Sequence, residues 1–571
     1  MTLAPRFLVN FWAGFCTARF GRRLKTPGRS VAAQQTAFTQ LMAQIALTEF
    51  GRAHGLEAKT TYAQFRDQVP PRAYDFFQPL IVRMAAGAAD VLVPGQCHFF
   101  VETAGTTGPA PKLLPVPEAM LAHYRQGLRD SLFHYAHRIG HSGVFLGRQV
   151  HIGASTAVTE KQGAYRTSLD GILTLCLSPW AEANLRSPPG AIAQKPEGAG
   201  KIDATARAML RRDVTLVGGT PALICALALA AREAASMGKQ RMTHLQAVWP
   251  NLECCLHTGA PLGLFGDALR ASLGPTVNFH EVYAAAEGIF AAQDGSKPTT
   301  LRLLADAGVF FEFLPLASYH EATVERAGGL CLPLEKVQPG TDYVPVVTTP
   351  AGLCRYVTGD IVRFTSVDPP RLQFVGRAAL ALNSLGERVN ERELTEVLRT
   401  VCTRNGWQAI AFHVAPYAQR IAAAQVVNGH EWWLELGTHT MKTPTANVLA
   451  PEFDAELARR NPDYAMRRKK NLLDPPQVRL VMPGVFERWA TEQRKTASAS
   501  KLPRCRSDRL IADSSPRSRR STSPRSRRSR PRRRALRSKT YSSVFLARDF
   551  LAADDCLALS HTSPLALRFS Q

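Results

Sequence analysis

The sequence has no C-x-x-C pair and no regular cysteine spacing; its eleven Cys are scattered over 571 residues, with Cys254 and Cys255 adjacent. That pattern excludes a disulfide framework and a thiolate zinc site and points to a reducing compartment, the cytoplasm. Long apolar runs are also missing. The most apolar later run, Pro221 to Ala231, falls far short of the roughly 20 residues a bilayer span requires. At the amino terminus, Asn10 interrupts the apolar residues between Phe7 and Cys16, and Arg19, Arg22 and Arg23 stand where a small-residue cleavage site would lie. Met1 to Arg23 therefore reads as an amphipathic helix rather than a signal peptide, and no membrane partner is expected. No Gly-x-Ser-x-Gly elbow occurs, which leaves a serine hydrolase without support.

Acidic residues are absent from Pro516 to Lys539, where eleven Arg and one Lys supply half of the formal net charge of +24. Half of the basic excess thus belongs to a Ser/Pro/Arg-rich tail that begins abruptly after Leu510-Ile511-Ala512 and needs no packed structure. Such a tail would bind nucleic acid only non-specifically, through phosphates, and the break in composition is read as an aberrant extension of the chain. The remainder has an ordinary composition, 45% hydrophobic and 20% charged, and a length that calls for at least two folded units, the largest a sizeable one.

Phe38, Leu41, Ile45, Leu47 and Phe50 at helical spacing predict a helix over Thr36 to Gly51, with Gly51 as its stop. Val91 to Val93 and Phe99 to Val101 read as short strands before a Gly/Thr/Pro loop, Thr103 to Pro111, and a helix from Pro117 to Phe133. Buried strands are expected at Val214 to Val217, Ala247 to Trp249, Cys254 to His257 and Val277 to Tyr283. Helices Pro221 to Ser236 and Pro261 to Leu273 lie between them, an alternation that predicts an α/β core with parallel strands. After about Phe310 the texture is β-rich, with strands at Tyr343 to Thr348, Cys354 to Tyr356, Ile361 to Phe364 and Leu372 to Val375. A helix from Glu391 to Arg399 opens a further region. The expected division is an amino-terminal domain over residues 1–384, a carboxyl-terminal cap over 385–514 and a tail over 515–571.

By itself Gly105-Thr106-Thr107-Gly108 followed by Lys112 is a phosphate-type loop, with glycines for close backbone approach, hydroxyl donors and a cation. It lacks the Gly-Lys-Ser/Thr ending of a P-loop NTPase, and an ordinary Gly/Thr turn is the alternative for so short a pattern. Read in order with His257-Thr258-Gly259-Ala260-Pro261-Leu262-Gly263, Tyr283-Ala284-Ala285-Ala286-Glu287-Gly288, Arg355-Tyr356-Val357-Thr358-Gly359-Asp360 and Gly376-Arg377, it resembles the motif series of adenylate-forming enzymes. The flanks narrow the resemblance. Thr48-Glu49-Phe50-Gly51, Val69-Pro70 with Tyr74-Asp75, Leu382-Asn383 with Gly386-Glu387, Glu431-Trp432-Trp433, Asn461-Pro462-Asp463-Tyr464 and Lys501-Leu502-Pro503-Arg504 resemble the acyl acid amido synthetases of the Gretchen Hagen auxin-responsive family, in its bacterial form. The likeness runs from about Gln34 to Ser514.

That resemblance implies a large α/β adenylation domain with a β-rich subdomain, and a small α/β cap. It implies a ligase that activates a carboxylic acid with ATP and Mg²⁺ as an acyl adenylate and passes the acyl group to an amino acid. Thr103, Gly105, Thr106, Thr107 and Gly108 would cradle the phosphates beside Lys112, and Thr258, Gly259, Ala260 and Tyr283 would border adenine and acyl group. Glu287 would help hold Mg²⁺, a hard cation that takes carboxylate oxygen and shares it with phosphates. Asp360, an acceptor-only group, would take the ribose hydroxyls, with Arg377 nearby in the nucleotide site. Lys501 is the implied catalytic cation of the cap, and Arg388 stands where Lys is common, exchanging a point donor for a planar fork. Ala104 and Ala286 replace Ser of the family pattern, each loss worth about 0.5–1.5 kcal/mol of hydrogen bonding to nucleotide. The alternatives are an acyl-CoA synthetase, which shares the adenylation step, and a nucleic-acid-binding protein acting through the tail. The chain is expected to be a monomer. His134, His137 and His141 are read as a solvated helix face rather than a metal site, and Trp432 and Trp433 as core residues.

Overall fold

β-branched and apolar residues make Val214–Gly219 and Cys254–Thr258 almost continuously buried strands, the pattern of a sheet covered on both faces. With Arg148–Ile152 and Asn278–Ala285 they form a run of parallel neighbours. The computed structural model describes residues 6–514 apart from 104–111, 237–241, 259–261, 263–265, 296–299, 381, 383–386, 388, 423–424, 438–443, 487, 490–502 and 507–508. All of the described residues lie in one compact unit, Met1–Ser518. The tail after Ser514 lies outside them.

Beyond Asn278–Ala285 the sheet changes sense. Gly288–Gln293 pairs antiparallel with it, and Leu301–Leu303, Pro370–Arg377, Asp360–Val367, Asp342–Thr348 and Phe310–Pro315 continue the antiparallel half of a sheet that has 13 strands among the described residues. The carboxyl ends of the parallel strands therefore meet the antiparallel half at a change of topology, the place where open α/β sheets leave a ligand crevice. A smaller sheet joins Phe99–Glu102 to Leu113–Pro115 across the Gly/Thr loop. A separate apolar cluster, from Leu380 through Leu394, Val397, Trp432 and Phe453 to Cys505, organises the last region around the Glu391–Asn405 helix and a three-stranded sheet.

The mixed α/β class with a parallel core and a β-rich portion is as expected, and most predicted elements occur within a few residues of their predicted limits. Several readings are corrected. The second helix spans Arg29–Ile45, and Gly51 lies inside a following short helix, Glu49–Ala53, capped by Thr48. A Cβ on Gly51 would come within 2.0 Å of the Ile45 carbonyl oxygen, so glycine serves close approach there rather than termination. Val91 to Val93 is buried but forms no strand; the Val91 carbonyl accepts from Phe50 N–H at 3.1 Å instead. Leu245–Val248 is a helical turn, not a strand, because the His244 ring accepts from Ala247 N–H and caps it. His134 is buried against Phe20, not solvated, and burial lowers its pKa to about 3. Trp432 and Trp433 are buried, as read.

Candidate active site

Two tight turns bring the chemistry-bearing side chains together at the change of sheet topology. The first joins Asn278–Ala285 to Gly288–Gln293 and carries Glu287 at its tip. The long helix Glu118–Ile139 holds this turn from below: Tyr124 Oη donates to the Ala286 carbonyl at 2.5 Å, and His123 Nε2 accepts from Ile289 N–H at 3.0 Å. The same ring donates from Nδ1 to the Ala307 carbonyl at 2.6 Å, which assigns the neutral tautomer. Burial keeps it so by lowering its pKa to about 4. Only glycine fits at Gly288, where a Cβ would lie 2.8 Å from His123 Nε2.

The second turn, Thr358-Gly359, opens the Asp360–Val367 strand with Gly359 at φ +74°. Asp360 is 4% exposed and already engaged at both oxygens. Tyr283 Oη donates to Oδ2 at 2.6 Å, and Arg377 Nε, directly across the strand pair, lies 3.1 Å from Oδ1. Phe290 and Phe374 flank the Tyr283 ring with centroids at 5.2 and 5.4 Å. Burial, and then the Asp360 charge, pushes the Tyr283 hydroxyl well above its ordinary pKa, so it remains a donor. Asp360 in turn, with help from Glu287, raises the pKa of Arg377. Each carboxylate oxygen keeps a second lone pair with which a ligand hydroxyl could bond.

Lys112 and Glu287 are linked through a residue for which the sequence indicated no role. Lys112 Nζ donates to Tyr356 Oη at 3.2 Å, and Tyr356 Oη donates to Glu287 Oε1 at 3.0 Å. Lys112 also stands over the Tyr74 and Tyr356 rings, 5.2 and 5.8 Å from their centroids, a cation–π arrangement. Tyr74 Oη closes the assembly by accepting from Leu113 N–H at 2.8 Å and donating to the Leu113 carbonyl at 3.1 Å. Burial, then Glu287, raises the Tyr356 pKa well above the ordinary range. Tyr356 and Tyr74 lie within sequence motifs that assign them no role; a contact across 244 residues leaves no local pattern.

Thr103 stands at one stem of the Gly/Thr loop and Lys112 at the other. Thr103 N–H donates to the Lys112 carbonyl at 2.9 Å and Lys112 N–H to Thr103 Oγ1 at 3.3 Å, so the two stems are pinned together. Gly105, Thr106, Thr107 and Gly108 lie outside the described residues. So do Gly259 and Ala260, but Thr258 ends the Cys254–Thr258 strand with a buried hydroxyl that has no partner among the described residues. Buried hydroxyls are normally satisfied, and this one is what a bound ligand's polar group could satisfy. Arg388 and Lys501 are outside the described residues as well. Just after Lys501, Pro503 to Arg506 is anchored beside the Ala409–Ala422 strand, with His413 Nδ1 donating to the Pro503 carbonyl at 2.7 Å and Val414 N–H to that of Arg504 at 2.8 Å.

Arg355, beside Tyr356, serves the scaffold. It is fully buried at φ +49°, forks onto Glu312 with two 2.8 Å bonds and donates to the carbonyls of Arg66, Val69 and Gly328. The described residues hold no group of three or more His, Cys, Asp or Glu able to bind a metal ion. A single carboxylate, Glu287, fits a Mg²⁺ that takes most of its ligands from phosphates and water.

Comparison with known proteins identifies the family and the fold. Residues 25–174, 302–377 and 392–510 match, in turn, the N-terminal, central and C-terminal domains of the GH3 family, together more than half of the chain. The indole-3-acetic acid-amido synthetase GH3.8 of Oryza sativa subsp. indica is 23% identical over 551 residues, covering 83% of this chain and 88% of its own length. GH3.3 of Arabidopsis thaliana, also an indole-3-acetic acid-amido synthetase, is 29% identical over 207 residues, and the chain spans only 33% of its length. Among solved structures, the GH3.15 acyl acid amido synthetase superposes with a TM-score of 0.67 at 18% identity, covering 86% of this chain and 94% of that one. A 2-hydroxyisobutyryl-CoA ligase in its postadenylation state superposes with 0.55 at 15% identity, covering 86% and 92%. At these identities the structures speak to the fold.

Proposed function

The chain belongs to the GH3 family, and from that premise we propose that it is an ATP-dependent acyl acid amido synthetase, a ligase that joins a carboxylic acid to an amino acid through an acyl adenylate. The observation that carries this reading is the pair of coupled assemblies at one sheet crossing, Tyr283–Asp360–Arg377 and Lys112–Tyr356–Glu287. An acid–base hydrolase would need a nucleophile with an adjacent base. Here the groups are instead two fixed anions, two fixed cations and buried donors, which suit binding and orienting a charged nucleotide.

In the proposed reaction a carboxylate oxygen of the acid attacks the α-phosphorus of ATP, and the bond to pyrophosphate breaks. The amine then attacks the acyl carbon, AMP leaves, and an amide forms. Asp360 holds the ribose hydroxyls on its spare lone pairs, while Arg377 and Tyr283 fix its orientation. The loop from Thr103 to Gly108, including Gly105, Thr106 and Thr107, takes the phosphates on backbone N–H groups, with the Lys112 charge at its stem. Thr258, Gly259, Ala260 and Tyr283 border adenine and acyl group. Glu287, its carboxylate oriented by Tyr356, would hold Mg²⁺, which when bound neutralises phosphate charge. Lys501 and Arg388 of the cap supply positive charge where the carboxylate meets the α-phosphate, a position in which preorganised electrostatics matter most.

We place the domain division at residues 1–384, 385–514 and 515–571, and read the chain as a bacterial, cytoplasmic and monomeric member of the family from its flanking motifs and cysteine usage. The test is pyrophosphate release by the purified chain over a panel of carboxylic acids, with and without amino acids. Acid-dependent release that yields an amide with one amino acid is expected. Release that yields product only with a thiol would make it an acyl-CoA synthetase, and no acid-dependent release would overturn the reading.

A further inference from the structure

The first helix, Arg6–Leu24, is fastened to the molecule along one side only. Its Ala13, Thr17 and Phe20 are buried, the Phe20 ring packing against His134 at 4.8 Å and Phe133 at 5.7 Å. Asn10 Oδ1 accepts from Ser142 Oγ at 2.7 Å, and Gly21 passes so close to His137 that a Cβ would meet the ring. These contacts fix which side faces out. Phe7, Phe11 and Phe15 recur there every four residues, with Leu8 and Trp12 beside them, so they share one stripe. Phe7 and Phe11 are 70% and 73% exposed, and the other three about half. Five large apolar side chains aligned in water mark an interaction surface.

Charge identifies the partner. No Asp or Glu precedes Glu49, whereas Arg6, Arg19, Arg22, Arg23, Lys25 and Arg29 do. Arg6 is paired with Asp213, and Arg23 and Arg29 with Asp306. Arg19 and Arg22 continue the aromatic stripe, and with Lys25 they are exposed without an ion pair among the described residues. A second copy docking through this face would bring no carboxylate from its own first helix to meet them. No helix of the described residues is long and apolar enough to cross a membrane. Lying on a bilayer demands something else, an aromatic face bordered by Arg.

We propose that the outward stripe of this helix docks on the surface of a bilayer containing anionic lipid, with Phe7, Phe11, Trp12 and Phe15 in the interface and Arg19 and Arg22 at headgroup phosphates. The absence of a spanning segment argued against a membrane partner, but it bears only on crossing. The Arg-rich tail would also adsorb to anionic vesicles, so the test must report apolar insertion. The full chain is mixed with vesicles of phosphatidylcholine and phosphatidylglycerol that carry a nitroxide-labelled lipid, and its fluorescence is compared with that of Trp12→Phe. The expected result is lipid quenching of emission that the variant lacks. In co-sedimentation at an ionic strength that screens the tail's adsorption, a triple variant (Phe7→Ser, Phe11→Ser, Phe15→Ser) should bind at least about tenfold more weakly with an unchanged melting curve, since none of its changes is buried. Arg19→Gln with Arg22→Gln should reduce the preference for phosphatidylglycerol. Three results would overturn the proposal. They are unquenched Trp12, a triple variant that sediments like the wild type, or a lipid-free dimer that the triple variant turns into monomer.

Discussion

Asp360 is held at both oxygens before any ligand arrives, by Tyr283 on one side and Arg377 on the other. Replacing it with Ala removes the ribose acceptor and should raise the Michaelis constant for ATP, with some loss of stability because Arg377 and Tyr283 lose their partner; an unchanged constant would remove Asp360 from the site. Two residues before Tyr283, on the same face of its strand, Glu281 is buried and its pKa is pushed up to about 7, with Arg392 pulling the other way. As pH rises from the ordinary 4.5 to about 7, the unfolded chain loses a proton that the folded chain retains, so this carboxyl lowers stability over that window and above it. Glu281→Gln should therefore be more stable above the window by about 3 kcal/mol, with the difference vanishing below it. Urea unfolding across a pH series checks this, and a pH-independent difference would contradict it. Asp360, Glu287 and Tyr283 were legible in the sequence because each lies in a contiguous motif. Glu281 and Tyr356 were not, because their roles arise from burial and from partners remote in the chain.

The elements that present these residues are tied together by one buried ion pair. Arg355 and Glu312 join the segment Arg66 to Val69 to the antiparallel half of the sheet, and Tyr62 Oη donates to Glu312 at 2.9 Å. Removing one partner strands a buried charge, so Glu312→Gln should destabilise the protein by about 3–5 kcal/mol. Exchanging both Glu312 and Arg355 for apolar residues should recover part of that, as denaturant titration would show. A loss below about 1 kcal/mol, typical of an exposed pair, would contradict the burial. Strands flanked by clear turns, such as Val214–Gly219 and Asn278–Ala285, were readable from apolar runs. The short runs were not: Ala247 to Trp249 became part of a helical turn through a His244 cap, and Val91 to Val93 stayed irregular. A run of three apolar residues specifies burial without specifying a backbone.

For the whole molecule, the ordered series of motifs pointed to the architecture, because the motifs that hold Glu287 and Asp360 each mark a turn at the same change of sheet topology while the long interval between them is scaffold. Half of the formal net charge lies instead between Pro516 and Lys539, beyond the last match to the family. A chain ended after Ser514 should keep acid-dependent pyrophosphate release while losing salt-sensitive adsorption to nucleic acid; a folded but inactive truncation would make the tail part of the enzyme. The central claim, that an acid is activated as its adenylate before an amine takes it, is tested most directly by following the acid's own oxygens. The enzyme is given ATP, an amino acid and a carboxylic acid carrying heavy oxygen at both carboxylate positions, and the products are weighed by mass spectrometry. One heavy oxygen should appear in AMP and the other in the amide. Heavy oxygen in inorganic phosphate, with ADP as the nucleotide product, would show activation through an acyl phosphate and contradict the account.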